Sequence, residues 1–220
     1  MEMQPRRTGI AVAMLFVAAI AIISHHPVAQ GVSDVERLNS VVDQSGAAQA
    51  VHGAVMAIWL ILGAAMIGFS RLLGISRPTV LIALAAFMVS VVMGFIAMTF
   101  DGFVISAIGQ TCISARPDCV TSTTLMFGFA AIAVQAFTKI ALFLVAGAMA
   151  LWSIAMINRD RQWRIIACIG IASASAQVAL LFGPAAHLTP QTLILVLFAQ
   201  CCWFFGLVWL VGFRKSALGS

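Results

Sequence analysis

The fold is decided by residues 98–139, MTFDGFVISAIGQTCISARPDCVTSTTLMFGFAAIAVQAFTK. The stretch contains Asp101, the cysteines Cys112 and Cys119, and Lys139, which is the only basic residue within an apolar segment. The sequence on both sides of it is predominantly apolar. We therefore expect membrane helices arranged around a short polar region.

The composition indicates an integral membrane protein. Of the 220 residues, 62% are hydrophobic and 9% are charged, and the mean hydropathy is +1.08. A soluble domain has roughly half apolar and a quarter charged residues. The apolar runs reach the roughly 20 residues that a helix needs to cross a bilayer, and they lack the alternation of a β-barrel strand. The predicted fold class is all-α, a polytopic membrane helical bundle forming one domain over residues 1–220.

The basic residues predict the topology. The apolar runs give six transmembrane helices, at about 8–29, 49–70, 78–100, 136–157, 163–182 and 190–213, with outer loops at 30–48 and 101–135. Nine basic residues then fall on one side, and only Arg37 and Arg116 fall on the other: Arg6, Arg7, Arg71, Arg77, Arg159, Arg161, Arg164, Arg214 and Lys215. Because cytoplasmic loops are rich in Lys and Arg, both termini are predicted to be cytoplasmic. The net charge of +5 is a topology signal and does not indicate nucleic-acid binding.

Two segments have special features. The first span follows Arg6-Arg7 and is short, so a secretory signal peptide is an alternative to an uncleaved helix. In the outer loop, Ser33 and Glu36 have the spacing of a capping box, which predicts a short amphipathic surface helix.

The fourth apolar segment, residues 121–157, is too long for one crossing and too short for two. Trp152 is expected at the inner membrane interface. Counting back nineteen positions from Asn158 places Lys139 near the outer boundary, level with His52 and Asp101. Residues 121–135 are then expected outside the bilayer or folded over the bundle, with a bend at Gly128.

The five cysteines divide by depth. Cys112 and Cys119 flank a Pro-Asp turn on the outer side, where a disulfide between them is predicted. Cys168, Cys201 and Cys202 lie in apolar helix and are expected to act as small hydrophobic residues.

The candidate ligand-binding residues are His52, Asp101, Lys139, Gln135 and His187. Ionisable residues in membrane spans usually face the bundle interior or a water-filled cavity, which predicts a site open to the outside. The alternative for Asp101 and Lys139 is an ion pair that joins two helices, and for His52 it is an interfacial hydrogen bond. No catalytic residue is identified, and no metal site or cofactor is favoured, because the histidines lack the helical spacing of zinc or haem ligands.

Further polar residues in the spans have two interpretations. Gln177, Gln200, Ser173 and Ser175 could line a transport path, or they could bond helices together. A transporter would need a polar path that continues from Asp101 to the inner face.

Four short motifs carry a resemblance. His52-Gly53, Arg71-Leu72-Leu73-Gly74, Asp101-Gly102-Phe103 and Leu151-Trp152-Ser153 together resemble a group of uncharacterised bacterial inner-membrane proteins with six helices. The resemblance implies a bacterial inner-membrane location and supplies no activity.

The sequence thus predicts an integral inner-membrane protein, most simply a non-enzymatic subunit of a membrane complex or a small-molecule-binding protein with an outward-facing polar site. A small-solute or ion transporter is the alternative, and a metal- or haem-dependent enzyme is less favoured. The expected partners are the lipid bilayer and other membrane-protein subunits or a second copy, and not nucleic acid.

Overall fold

The computed structural model describes residues 18, 21–22, 30–115, 119–183 and 188–213. This part of the chain is helical: α1 (Asp34–Asp43), α2 (Ser45–Leu73), α3 (Pro78–Thr99), a π-helical turn (Phe100–Val104), α4 (Ile105–Ala115), α5 (Cys119–Met156), α6 (Arg161–Phe182) and α7 (Pro190–Phe213). It contains no β-strand.

Five helical stretches in the described part are long and apolar enough to cross a membrane. They are Ser45–Leu73, Pro78–Cys112, Cys119–Met156, Arg161–Phe182 and Gln191–Val211. The part of the chain that the structure describes is therefore all-helical, with the long apolar helices of an integral membrane protein. The predicted first span lies almost wholly outside the described residues. Only Ala18, Ala21 and Ile22 of this span are described, and all three are helical.

The predicted loop at 101–135 is helical wherever the structure describes it. The π-helical turn continues α3 into α4. The bend expected at Gly128 is absent, because α5 passes through this residue as one helix of 38 residues. At 1.5 Å per residue α5 is about 57 Å long, which exceeds the roughly 30 Å hydrocarbon core of a bilayer.

The two ends of the bundle differ in charge. At one end, called here the Arg71 end, α2 and α5 finish and α3 and α6 begin, among Arg71, Arg77, Arg159, Arg161 and Arg164. Arg159 donates hydrogen bonds to the carbonyl oxygens of Leu72 (3.1 Å) and Leu73 (3.5 Å). These bonds satisfy free carbonyl groups at the end of α2. Burial, and then the neighbouring Arg77, lower the pKa of Arg159 from its ordinary value.

The opposite end, called the α1 end, is covered by α1, whose capping box is present as predicted. The Ser33 hydroxyl accepts from the Glu36 N–H, and the Glu36 carboxylate accepts from the N–H groups of Ser33 and Val32. Hydrogen bonds from the backbone of Ser33 and Val32 hold the pKa of Glu36 below its ordinary value. Leu38 of α1 is buried, and α1 packs on α4 close to Gly109.

The main apolar core lies towards the Arg71 end and centres on two tryptophans. Trp152 and Trp203 are fully buried and stacked, with ring centroids 6.0 Å apart. The interface position expected for Trp152 is therefore wrong, because its indole N–H donates to the buried Ser70 hydroxyl at 3.1 Å instead of reaching the membrane surface.

The predicted disulfide is not formed in the structure. Cys112 near the end of α4 and Cys119 at the start of α5 are both free cysteines in the structure. The Cys119 sulfur is instead 3.2 Å from the Thr123 hydroxyl. The two helix ends flank the predicted Pro-Asp turn, which lies outside the described residues.

Candidate functional site

The site is built on a histidine and an aspartate from different helices. His52 lies on α2, seven residues after its first residue, and Asp101 lies in the π-helical turn. The His52 Nε2 atom is 3.1 Å from the Asp101 Oδ2 atom. The His52 side chain is 7% exposed and that of Asp101 is 35% exposed, so the pair has a buried side and an open side.

The hydrogen bonds of His52 define where a proton must lie. Its Nδ1 atom is 2.7 Å from the Ala48 carbonyl oxygen, which can only accept, so Nδ1 carries a hydrogen. Without a further proton, the lone pair of Nε2 would face the carboxylate oxygen. A hydrogen bond between Nε2 and Oδ2 therefore requires one proton between these atoms, carried either by the imidazolium or by the carboxylic acid. His52 is thus fixed by two hydrogen bonds, one within α2 and one to the π-helical turn.

The backbone brings the two side chains together. A Cβ atom at Gly102 would lie 2.7–2.8 Å from the His52 ring and Cβ, so only glycine allows the π-helical turn to approach α2 this closely. Single π-helical turns inside α-helices occur frequently at functional sites. The turn is also held against α5 by stacking of Phe100 on Phe137, with centroids 6.3 Å apart.

The pair borders a cavity of about 190 Å³ between α2, α3, α5 and α7. The walls are mainly apolar or aromatic, with polar groups from His52, Asp101, Thr138 and Gln200. The apolar and aromatic lining residues include Val55, Trp59, Leu62, Phe87, Leu142, Val145, Leu197 and Phe204. A mainly apolar pocket with a few polar groups is typical of a small-molecule site.

The other predicted site residues have different positions. Gln135 does not line the cavity; its side-chain amide donates to the Leu188 carbonyl and accepts from the Leu188 N–H, both at 3.1 Å. Lys139 is half-buried and follows Thr138, which does line the cavity. His187 lies outside the described residues. The structure therefore joins His52 with Asp101 and uses Gln135 to hold the chain before α7.

Sequence reasoning missed several parts of the site. The π-helical turn has no simple sequence signature, although Gly102 beside Asp101 was a signal for close backbone approach. The aromatic wall of Trp59, Phe87 and Phe204 comes from three helices, so no local spacing predicts it. Gln200 is a polar residue in a predicted span, but its sequence neighbours give no link to His52.

The described residues contain no group of three or more His, Cys, Asp or Glu side chains that could hold a metal ion.

No protein family, curated protein or solved structure matches this chain. The interpretation of the site therefore depends on its own geometry.

Proposed function

We propose that this protein is a non-enzymatic bacterial inner-membrane protein that binds a small, mainly apolar molecule, either alone or as a subunit of a membrane complex. The observation that carries the proposal is the cavity of about 190 Å³ with apolar walls and the His52–Asp101 pair at one end. An apolar cavity of about 150 Å³ is large enough to hold benzene. The ligand would place its apolar part in the cavity and a polar group near the pair.

The proposal includes an orientation. The Arg71 end carries five arginines among the described residues, and the α1 end carries Arg37. By the positive-inside rule, the Arg71 end faces the cytoplasm and the cavity opens towards the outside. The likeness of the four short motifs to uncharacterised inner-membrane proteins supports this location.

The experiment measures binding of an alkylbenzene with a short tail to the protein in lipid nanodiscs, by equilibrium dialysis against empty nanodiscs. Ala141 is buried and lines the cavity, so Ala141→Leu reduces its volume. We expect at least a tenfold loss of affinity in this variant, because the ligand and the added side chain compete for the same space. Ala136→Leu is the matched control, since Ala136 is exposed on the same helix.

Two outcomes of the alkylbenzene binding experiment would contradict the proposal. Equal partitioning of the alkylbenzene into protein-containing and empty nanodiscs would contradict the proposed function. Equal binding to the wild type and to a folded Ala141→Leu variant would place the ligand elsewhere. Thermal unfolding followed by circular dichroism checks that both variants fold.

A small-solute or ion transporter is the second candidate. Three polar groups extend from the cavity towards the Arg71 end and have no hydrogen-bond partner in the described part of the chain: Gln200 Nε2, Trp203 Nε1 and Ser153 Oγ. Below them, however, the bundle is closed by fully buried apolar side chains: Leu73, Val80 and Met156. This apolar layer favours the binding protein. Proton or solute flux in proteoliposomes that depends on Asp101 would favour the transporter.

A further inference from the structure

The cavity has a long axis parallel to the helices. Its lining residues on α2 run from Val51 to Leu62, and those on α7 run from Leu193 to Phe204. Each set covers eleven steps along a helix, or about 16 Å. His52 and Asp101 lie towards the α1 end of this length, and Gln200 lies towards the other end. The cavity is therefore polar near its two ends and apolar between them.

Gln200 is the clearest unexplained group in the cavity. It is 4% exposed, and its Nε2 atom has no hydrogen-bond partner in the part of the chain that the structure describes. An unpaired buried amide is costly, so native proteins pair almost all such groups. A buried water needs two to four polar partners, whereas the cavity is lined mainly by apolar side chains, among them Leu142, Val145 and Leu197. A ligand atom that accepts a hydrogen bond would satisfy the amide better.

The other end of the cavity also offers a hydrogen-bond donor, the Thr138 hydroxyl, beside the His52–Asp101 pair. Since a net charge is disfavoured between apolar walls, the ligand is expected to be uncharged. Trp59, Phe87 and Phe204 provide aromatic surfaces for a flat ring.

We propose that the cavity binds the ring of a membrane-soluble quinone, with one carbonyl oxygen accepting a hydrogen bond from Gln200 Nε2. A quinone ring is flat and uncharged and carries carbonyl acceptors on opposite sides, so one carbonyl can accept from Gln200 while the other points towards the end of the cavity that holds Thr138. The cavity volume of about 190 Å³ suits a single ring. This inference rests on the proposed function, since it specifies the ligand of the same cavity.

The test compares two probes with the same short alkyl tail, an alkyl-benzoquinone and an alkylbenzene, in lipid nanodiscs. In the wild type, we expect the quinone to bind at least tenfold more tightly than the alkylbenzene, relative to their partitioning into empty nanodiscs. In Gln200→Leu, quinone affinity is expected to fall about tenfold, because a buried hydrogen bond is removed while the side-chain volume is kept. Alkylbenzene affinity should change less than twofold.

Gln177→Leu is the matched control. Gln177 is a buried glutamine on α6 that does not line the cavity, and its amide is 3.5 Å from the Val196 carbonyl oxygen. Its replacement should leave the quinone preference unchanged. An equal loss in both variants would overturn the role of Gln200.

The outcomes separate the inference from the proposed function. If the alkylbenzene binds in the cavity and the quinone has no advantage, the quinone inference is wrong and the proposed function stands. If neither probe binds above the level of empty nanodiscs, both are wrong.

Discussion

At the residue scale, His52 and Asp101 form a unit whose properties neither residue has alone. The Ala48 carbonyl fixes one ring nitrogen as a donor, so the other nitrogen must share a proton with the carboxyl group. The buried imidazole depends on this partner because its nitrogen atoms need hydrogen bonds within the protein.

Substitutions of Asp101 test this dependence. Asp101→Asn keeps a donor opposite the His52 Nε2 lone pair, so we expect its free energy of unfolding to stay near that of the wild type. Asp101→Ala leaves the nitrogen unpaired and should reduce the free energy of unfolding by about 1–3 kcal/mol. The measurement is unfolding in dodecylmaltoside micelles titrated with sodium dodecyl sulfate. Equal losses in the two variants would show that the hydrogen bond contributes little.

Gly102 provides a second test of the same contact. In Gly102→Ala the new methyl group would overlap the His52 ring, with an expected cost of about 1–3 kcal/mol in the free energy of unfolding. In a His52→Ala background the same change should cost much less, because the overlapping ring is absent. Additive effects in this double-mutant cycle would contradict direct contact between Gly102 and His52.

At the scale of the elements, α5, α6 and α7 pack so closely that the contact requires a glycine. A Cβ atom at Gly170 on α6 would overlap both the Ser153 hydroxyl on α5 and the Trp203 indole on α7. Since Trp203 stacks on Trp152, any displacement at this position is transmitted to the main core.

We therefore predict that Gly170→Ala lowers the free energy of unfolding by about 2–3 kcal/mol and alters the near-ultraviolet circular dichroism of the tryptophans. Gly147→Ala on α5 is the control, because no atom lies within 4 Å of its added Cβ. The control should be stabilised by up to about 1 kcal/mol through higher helix propensity. A Gly170→Ala variant as stable as the wild type would contradict the close packing.

At the scale of the whole molecule, the proposed orientation can be measured directly. Single cysteines at Arg37 and Arg161, in a background with the native cysteines replaced, would report the α1 end and the Arg71 end respectively. A membrane-impermeant maleimide should label Arg37→Cys in intact cells and Arg161→Cys only after lysis. The reverse pattern would invert the topology. Peptide mapping of the wild type without reducing agent tests the disulfide between Cys112 and Cys119.

Much of the architecture could be predicted because it follows from hydropathy and capping. The apolar runs gave the helical membrane fold, and Ser33 with Glu36 marked the start of α1. The common depth of His52 and Asp101 followed from counting residues along helices, and the structure brings these two side chains into contact.

Other features depend on contacts between distant residues, which no local pattern encodes. Trp152 looked like an interface residue because its sequence neighbours do not reveal Ser70, 82 positions away. Gln135 looked like a ligand residue because its partner, Leu188, precedes a different helix.

The π-helical turn also rotates α4 around the helix axis relative to α3. A helix advances about 100° per residue, so the extra residue in a widened turn rotates everything that follows it around the helix axis. The face of α4 that meets α1 at Gly109, and the Gln110 amide that bonds the Ser45 hydroxyl at 3.0 Å, therefore depend on the geometry around Asp101. A change that relaxed this turn would rotate α4, and α1 packed on it, together with the Asp101 carboxylate. The occupancy of the cavity and the position of α1 and α4 would therefore be mechanically linked.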